Sequence, residues 1–167
     1  YPPGPRASTD RLRTLVTSFD GPDAEGMSFE DLPENWRELP LDDDRLVRDV
    51  LDLFVSMKAR YHGALVVLMC NANRRIVQPI QVDEIELNPP ADTDVMLNNL
   101  VVAILGASAE SCVLVALARP GPLRVGARDE AWARFIEGAC RDRLPLIGVH
   151  LVTPRGSLPM SAAPSVA

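Results

Sequence analysis

At 167 residues the chain can fill one hydrophobic core but is too short for two ordinary domains with separate cores. Hydrophobic residues at 47% and charged residues at 24% describe a globular composition, which excludes wholesale disorder and fibrous repeats. The formal net charge of -6 falls entirely within residues 1–50, where twelve acids face six Arg, so the basic surface that nucleic-acid binding requires is missing.

Residues 1–41 form an acidic, Pro-rich extension. Tyr1 to Pro5 cannot join a helix or a sheet interior, because Pro lacks a donor and fixes its own dihedral. Leu12, Leu15, Val16 and Phe19 recur at helical spacing and predict a short amphipathic helix, ended by Asp20, Gly21 and Pro22. Phe29, Trp36 and Leu39 follow as isolated apolar residues among acids and prolines. Trp36 is expected either to pin the extension to the domain's own core or to meet a partner.

The domain proper is placed at 42–160. Asp42, Asp43 and Asp44 offer an N-cap and favourable charge, and Leu46, Val47, Val50, Leu51, Phe54 and Met57 then predict one helix to about Arg60. Ala64 to Cys70 and Arg75 to Val82 are apolar or β-branched runs separated by Asn71 to Arg74. They predict a hairpin, since Asn tolerates left-handed turn geometry. Asp92 or Thr93 can cap a helix from about Asp94 to Leu105, with Val95, Met96, Leu100, Val101, Ile104 and Leu105 buried and Gly106 as its stop. A strand from Cys112 to Ala118, an irregular loop around Pro120, Gly121 and Pro122, and a helix through Trp132, Phe135 and Ile136 come next. A strand from Leu146 to Val152, a turn and a short strand near Leu158 complete the domain, and 161–167 reads as a loose tail. The fold class is α/β, a mixed sheet with helices packed on it.

Cys70, Cys112 and Cys140 are odd in number and have no Cys-x-x-Cys spacing, so buried free thiols are expected rather than a disulfide framework or zinc ribbon. No apolar run nears the roughly 20 residues of a membrane-spanning helix, and no basic-then-apolar leader opens the chain. A cytoplasmic protein with no membrane partner is expected, and the opening Tyr1 reads as a processed end or a piece of something longer. Nucleophile-elbow, phosphate-loop, dinucleotide and His-Glu-x-x-His motifs are all missing. Arg119 and Arg124 around Pro120 to Pro122 could cradle an anion, but Asp129 and Glu130 already occupy the positive end of the next helix.

Taken in order, Leu65 to Ile76, Val95 to Ala109, Ser111 to Pro122 and Pro145 to Val152 resemble the JAB/MPN domain of RadC-type proteins, with a deaminase-like architecture. Active members of that family are zinc peptidases of the JAMM class. The resemblance implies a zinc ion held by two His and one Asp, with a Glu as general base and a Ser in the loop. Aligned on Pro120, the two His positions fall on Leu117 and Arg119, the Ser on Ala127, the Asp on Asp129 and the Glu near Gly63. Glu84 and Glu86 lie too far along the hairpin to stand in for the base.

One ligand does not make a zinc site. The expectation is a domain with its metal centre lost and no cofactor, in which Arg119 and Asp129 form an ion pair in the vacated pocket. His150 is expected in a hydrogen-bonded place in or near the core, and His62 in a loop. A three-ligand site built from His62, His150 and Asp129 is the alternative. The role expected is a protein-interaction or scaffold module, possible contacts being Trp36, Arg119 and Arg124, with self-association as a homodimer the other outcome. The alternatives are a metal-dependent hydrolase with a non-standard site and a sensor of a small anionic ligand.

Overall fold

A computed structural model describes residues 38–160. The helix expected around Leu12 to Phe19, the anchors Phe29 and Trp36, and the tail 161–167 lie outside the described residues. Nine elements follow in order: α1 (Asp44–Phe54), α2 (Met57–His62), β1 (Ala64–Cys70), β2 (Ile76–Asp83), α3 (Thr93–Ala107), β3 (Cys112–Ala118), α4 (Ala127–Cys140), β4 (Leu146–Thr153) and β5 (Gly156–Pro159).

The strands form one sheet in the order β2-β1-β3-β4-β5. β1 runs antiparallel to β2 and β3, β3 and β4 are parallel, and β4 and β5 are antiparallel. The parallel pair needs a crossover, which α4 supplies. Side chains alternate across the sheet, so each face collects its own core. Leu65, Val67, Val113, Val115, Leu117 and Val149 face α3 and α4, through Leu97, Leu100, Ile104, Trp132 and Ile136. Ala64, Val66, Leu68, Leu114, Ala116 and Val152 face α1 and α2, through Leu46, Val47, Val50, Leu51 and Ala59. The result is a three-layer α/β unit with its mixed sheet in the middle.

Local chemistry sets the element ends. Asp43 caps α1 by accepting from the Leu46 N–H at 3.1 Å. The single helix expected to Arg60 is two: Val55 is extended, and Ser56 starts α2 by accepting from the Ala59 N–H at 3.1 Å. Met57, expected on the buried stripe, is consequently rotated outward and 39% exposed. Arg60 ties the break to the sheet. Its guanidinium donates to the Val55 carbonyl at 3.1 Å, the Thr153 carbonyl at 3.2 Å and the Asp52 carboxylate at 3.1 Å.

In the hairpin the left-handed residue is Arg74, with φ 64, not an Asn. Asn71 acts through its side chain, whose oxygen accepts from the Asn73 and Arg75 N–H groups at 2.9 and 3.1 Å. α3 runs through Gly106 to Ala107. Val95, expected in its buried face, is 58% exposed and Val102 is 55% exposed, because this helix carries apolar residues around more of its circumference than the sheet can cover. Before α1, Leu41 is buried and its N–H donates to the Arg74 carbonyl at 3.0 Å, which seats the approach to the helix on the hairpin. No helix among the described residues is long and apolar enough to cross a membrane.

Candidate functional site

β1 begins where β3 ends, with Ala64 opposite Ala118. Gly63 and Arg119 therefore flank the same end of the sheet, and α4 starts close by. The loop from Arg119 to Gly126 spans this end.

Arg119 is the centre of that loop. Its Nε and one Nη donate to the two oxygens of Asp129, each at 2.7 Å, in the parallel fork that a guanidinium and a carboxylate share. The remaining N–H groups donate to the carbonyls of Pro120 at 2.7 Å, Pro122 at 3.4 Å and Arg124 at 2.9 Å. A guanidinium has five N–H donors, so each has an acceptor within the protein. The loop is thus wound around a cation. Pro120, Gly121 and Pro122 suit this winding, since two prolines free their neighbours from ladder pairing and Gly121 takes φ 100.

Asp129 sits in the first turn of α4 and is only 3% exposed. Its second oxygen also accepts from the Gly126 N–H at 2.8 Å, closing the start of the helix. Burial pushes its carboxyl up. The Arg119 hydrogen bonds, the Gly126 N–H and the charges of Arg119 and Arg128 outweigh burial and hold it below its ordinary value of 3.8. The same hydrogen bonds raise Arg119 against the opposing effect of burial. Arg119 thereby keeps the buried carboxylate charged.

The other positions expected at the site are distributed differently. Leu117 is 1% exposed in the core facing α3 and α4, opposite Leu65 and Leu151. Ala127 opens α4 and is exposed. Gly63 is buried with φ 90, where an added Cβ would lie 3.3 Å from the Ile85 carbonyl oxygen. Glu84, set aside on sequence distance, has its backbone beside Gly63, donating to the Gly63 carbonyl at 3.0 Å; its side chain and that of Glu86 are exposed. Buried Trp132 holds this segment down by donating to the Glu86 and Leu87 carbonyls, both at 3.1 Å. Trp132 is the tryptophan anchor among the described residues, and the signal for it was its place in the apolar stripe of α4.

Arg119 is not free to meet a partner, since its donors are all engaged inside the loop. Arg124 lends its carbonyl to Arg119 and is itself exposed. His62 is not in a loop: it ends α2 and is exposed. His150 lies opposite Ala116, on the sheet face that packs against α1, away from Asp129. Expected to be hydrogen-bonded, its Nδ1 is buried with no hydrogen-bond partner among the described residues. Burial lowers its pKa below the ordinary 6.5, with Asp44 opposing. His62, His150 and Asp129 do not converge, and no group of three His, Cys, Asp or Glu among the described residues could hold a metal ion. An apolar pocket lies between the sheet, α3 and α4, and none of its lining residues belongs to this set.

The arrangement can hold a loop in one shape. At its centre the five N–H donors of Arg119 are all engaged, and each oxygen of Asp129 already accepts at least one hydrogen bond. No family model matches the chain, and no curated protein matches it.

Proposed function

We propose that the chain is a RadC-like JAB/MPN domain whose zinc centre has given way to an internal ion pair, and that it works by binding protein rather than by hydrolysis. The observation that supports this reading is the Arg119–Asp129 fork, located where the resemblance puts a metal ligand on each of two elements.

Zinc in such a peptidase needs two His and an Asp, with a fourth position left for the water it ionises. The residues here do not fit that ion. Leu117 has no lone pair, Arg119 is a cation that a dication would repel, and both oxygens of Asp129 are taken by N–H donors. Gly63 has no side chain with which to receive a proton. What remains is a rigid loop beside the sheet end and exposed apolar residues on α3, Val95 and Val102, one helix face apart from the core. Arg124 and that face are the surface this reading assigns to a protein partner or a second copy of the chain.

The test restores the ligands. Wild-type protein and the Leu117→His/Arg119→His variant are titrated with zinc by calorimetry. The variant should gain zinc binding, and adding Asp129→Asn should remove it, while wild type binds none. A double variant that folds but gains no zinc affinity would speak against the resemblance.

A further inference from the structure

Cys70 ends β1 and Cys112 begins β3, and the antiparallel register places them directly opposite one another. Both side chains lie on the face covered by α1 and α2. Directly opposed residues of antiparallel strands have Cα atoms about 4.5–5.5 Å apart. A disulfide spans Cα separations of about 4.4–6.8 Å. The spacing of opposed residues therefore falls within the range a disulfide spans.

Both thiols are reduced and have weak acceptors: Cys70 Sγ donates to the Leu68 carbonyl at 3.5 Å and Cys112 Sγ to the Asn71 carbonyl at 3.2 Å. They differ in access. Cys70 is fully buried, whereas Cys112 is 7% exposed at the sheet end where the hairpin turn carries Arg74. Cys140 belongs to α4 and packs on the opposite face of the sheet, out of reach of both.

We propose that Cys70 and Cys112 form a redox pair that hydrogen peroxide converts to a cross-strand disulfide, a staple between β1 and β3. Cys112 reacts first. Its thiolate attacks one peroxide oxygen, the O–O bond breaks, and the other oxygen leaves as water once it has taken the thiol proton and the peroxide's own, leaving Cys112 as a sulfenic acid. The Cys70 sulfur then attacks Cys112 Sγ. The S–O bond breaks, the S–S bond forms, and a second water leaves with the Cys70 proton. Two thiols lose two electrons and one peroxide becomes two waters.

Burial raises the Cys112 pKa, while the Arg74 charge and backbone pull it back, so this thiol is the better placed to start. Burial and then the neighbouring Cys112 push Cys70 up to about 12, which leaves little thiolate for its attack and makes this resolving step the slow one. The pair sits at the opposite end of β1 and β3 from Arg119, so oxidation leaves the Arg119 loop in place.

Wild type, Cys140→Ser and Cys112→Ser are incubated with excess peroxide, denatured and alkylated, then weighed intact and mapped as peptides. Wild type should fall from three alkylatable thiols to one, with a loss of two hydrogens and a peptide joining Cys70 to Cys112. Cys140→Ser should form the same link, and Cys112→Ser none. The oxidised protein should melt about 10 °C higher, and a thiol reductant should reverse this. Three thiols surviving in wild type, a link through Cys140, or Cys70 and Cys112 recovered as separate oxygen acids would each overturn the pair.

Discussion

Arg119 and Asp129 are 11% and 4% exposed at their side chains, so each would be a nearly buried charge without the other. Removing one partner of such a pair strands the second, which costs about 3 kcal/mol or more, while replacing both with apolar groups costs far less. Arg119→Met alone should therefore lower the unfolding free energy by about 3 kcal/mol, and Arg119→Met/Asp129→Leu should recover much of it, as urea denaturation would read. Equal, additive losses would mean that the fork contributes packing only. Acid should separate this pair from His150. Asp129 is lowered, so its contribution is full above the ordinary carboxylate range and is lost as pH falls through its lowered value. The unfolded chain takes up a proton at His150 near 6.5 while the folded protein resists, so stability falls first just below that pH. His150→Gln should flatten the loss between about pH 7 and pH 5 and leave the later, carboxylate-range loss unchanged. An unaltered profile in that variant would mean His150 titrates normally. The Arg119–Asp129 pair was legible through the resemblance, which puts both residues at one pocket. Glu84 beside Gly63, and Cys70 opposite Cys112, were not, because both depend on strand register rather than on spacing along the chain.

At the level of elements, the break between α1 and α2 illustrates where pattern reading stops. Leu46 to Met57 keep an apolar rhythm that continues past the true end of α1. Ser56 is a good N-cap, and a cap in the middle of an apolar stripe competes with the stripe. Arg60 holds the break in place, reaching three acceptors with Val55 extended. Arg60→Met keeps most of the stem but leaves the Val55 and Thr153 carbonyls without that donor and takes the cation from Asp52. It should cost about 3 kcal/mol in denaturant unfolding. A change under about 0.5 kcal/mol would place the cause of the break elsewhere. The strands were more legible. β1 and β3 were read with their observed ends, since seven consecutive buried residues in each leave no other reading once both faces are covered. On α3 the same uniform apolarity hid which side meets the sheet, so Val95 was placed in the core and stands outside it.

Across the described residues as a whole, the mixed sheet with two helices on each face is the α/β architecture that the order of elements implied. The sheet end between Gly63 and Arg119 is where strands β1 and β3 and helix α4 meet, and in a three-layer fold such an end is the natural place for chemistry. Here a cation and its carboxylate fill it. The proposal of a binding module rests on that ion pair. Its most direct test is the zinc content of purified wild-type protein, measured together with melting curves with and without chelator. Zinc should lie far below one ion per chain, and chelator should leave the melting temperature unchanged. One zinc per chain, whose removal lowers the melting temperature, would contradict the proposal.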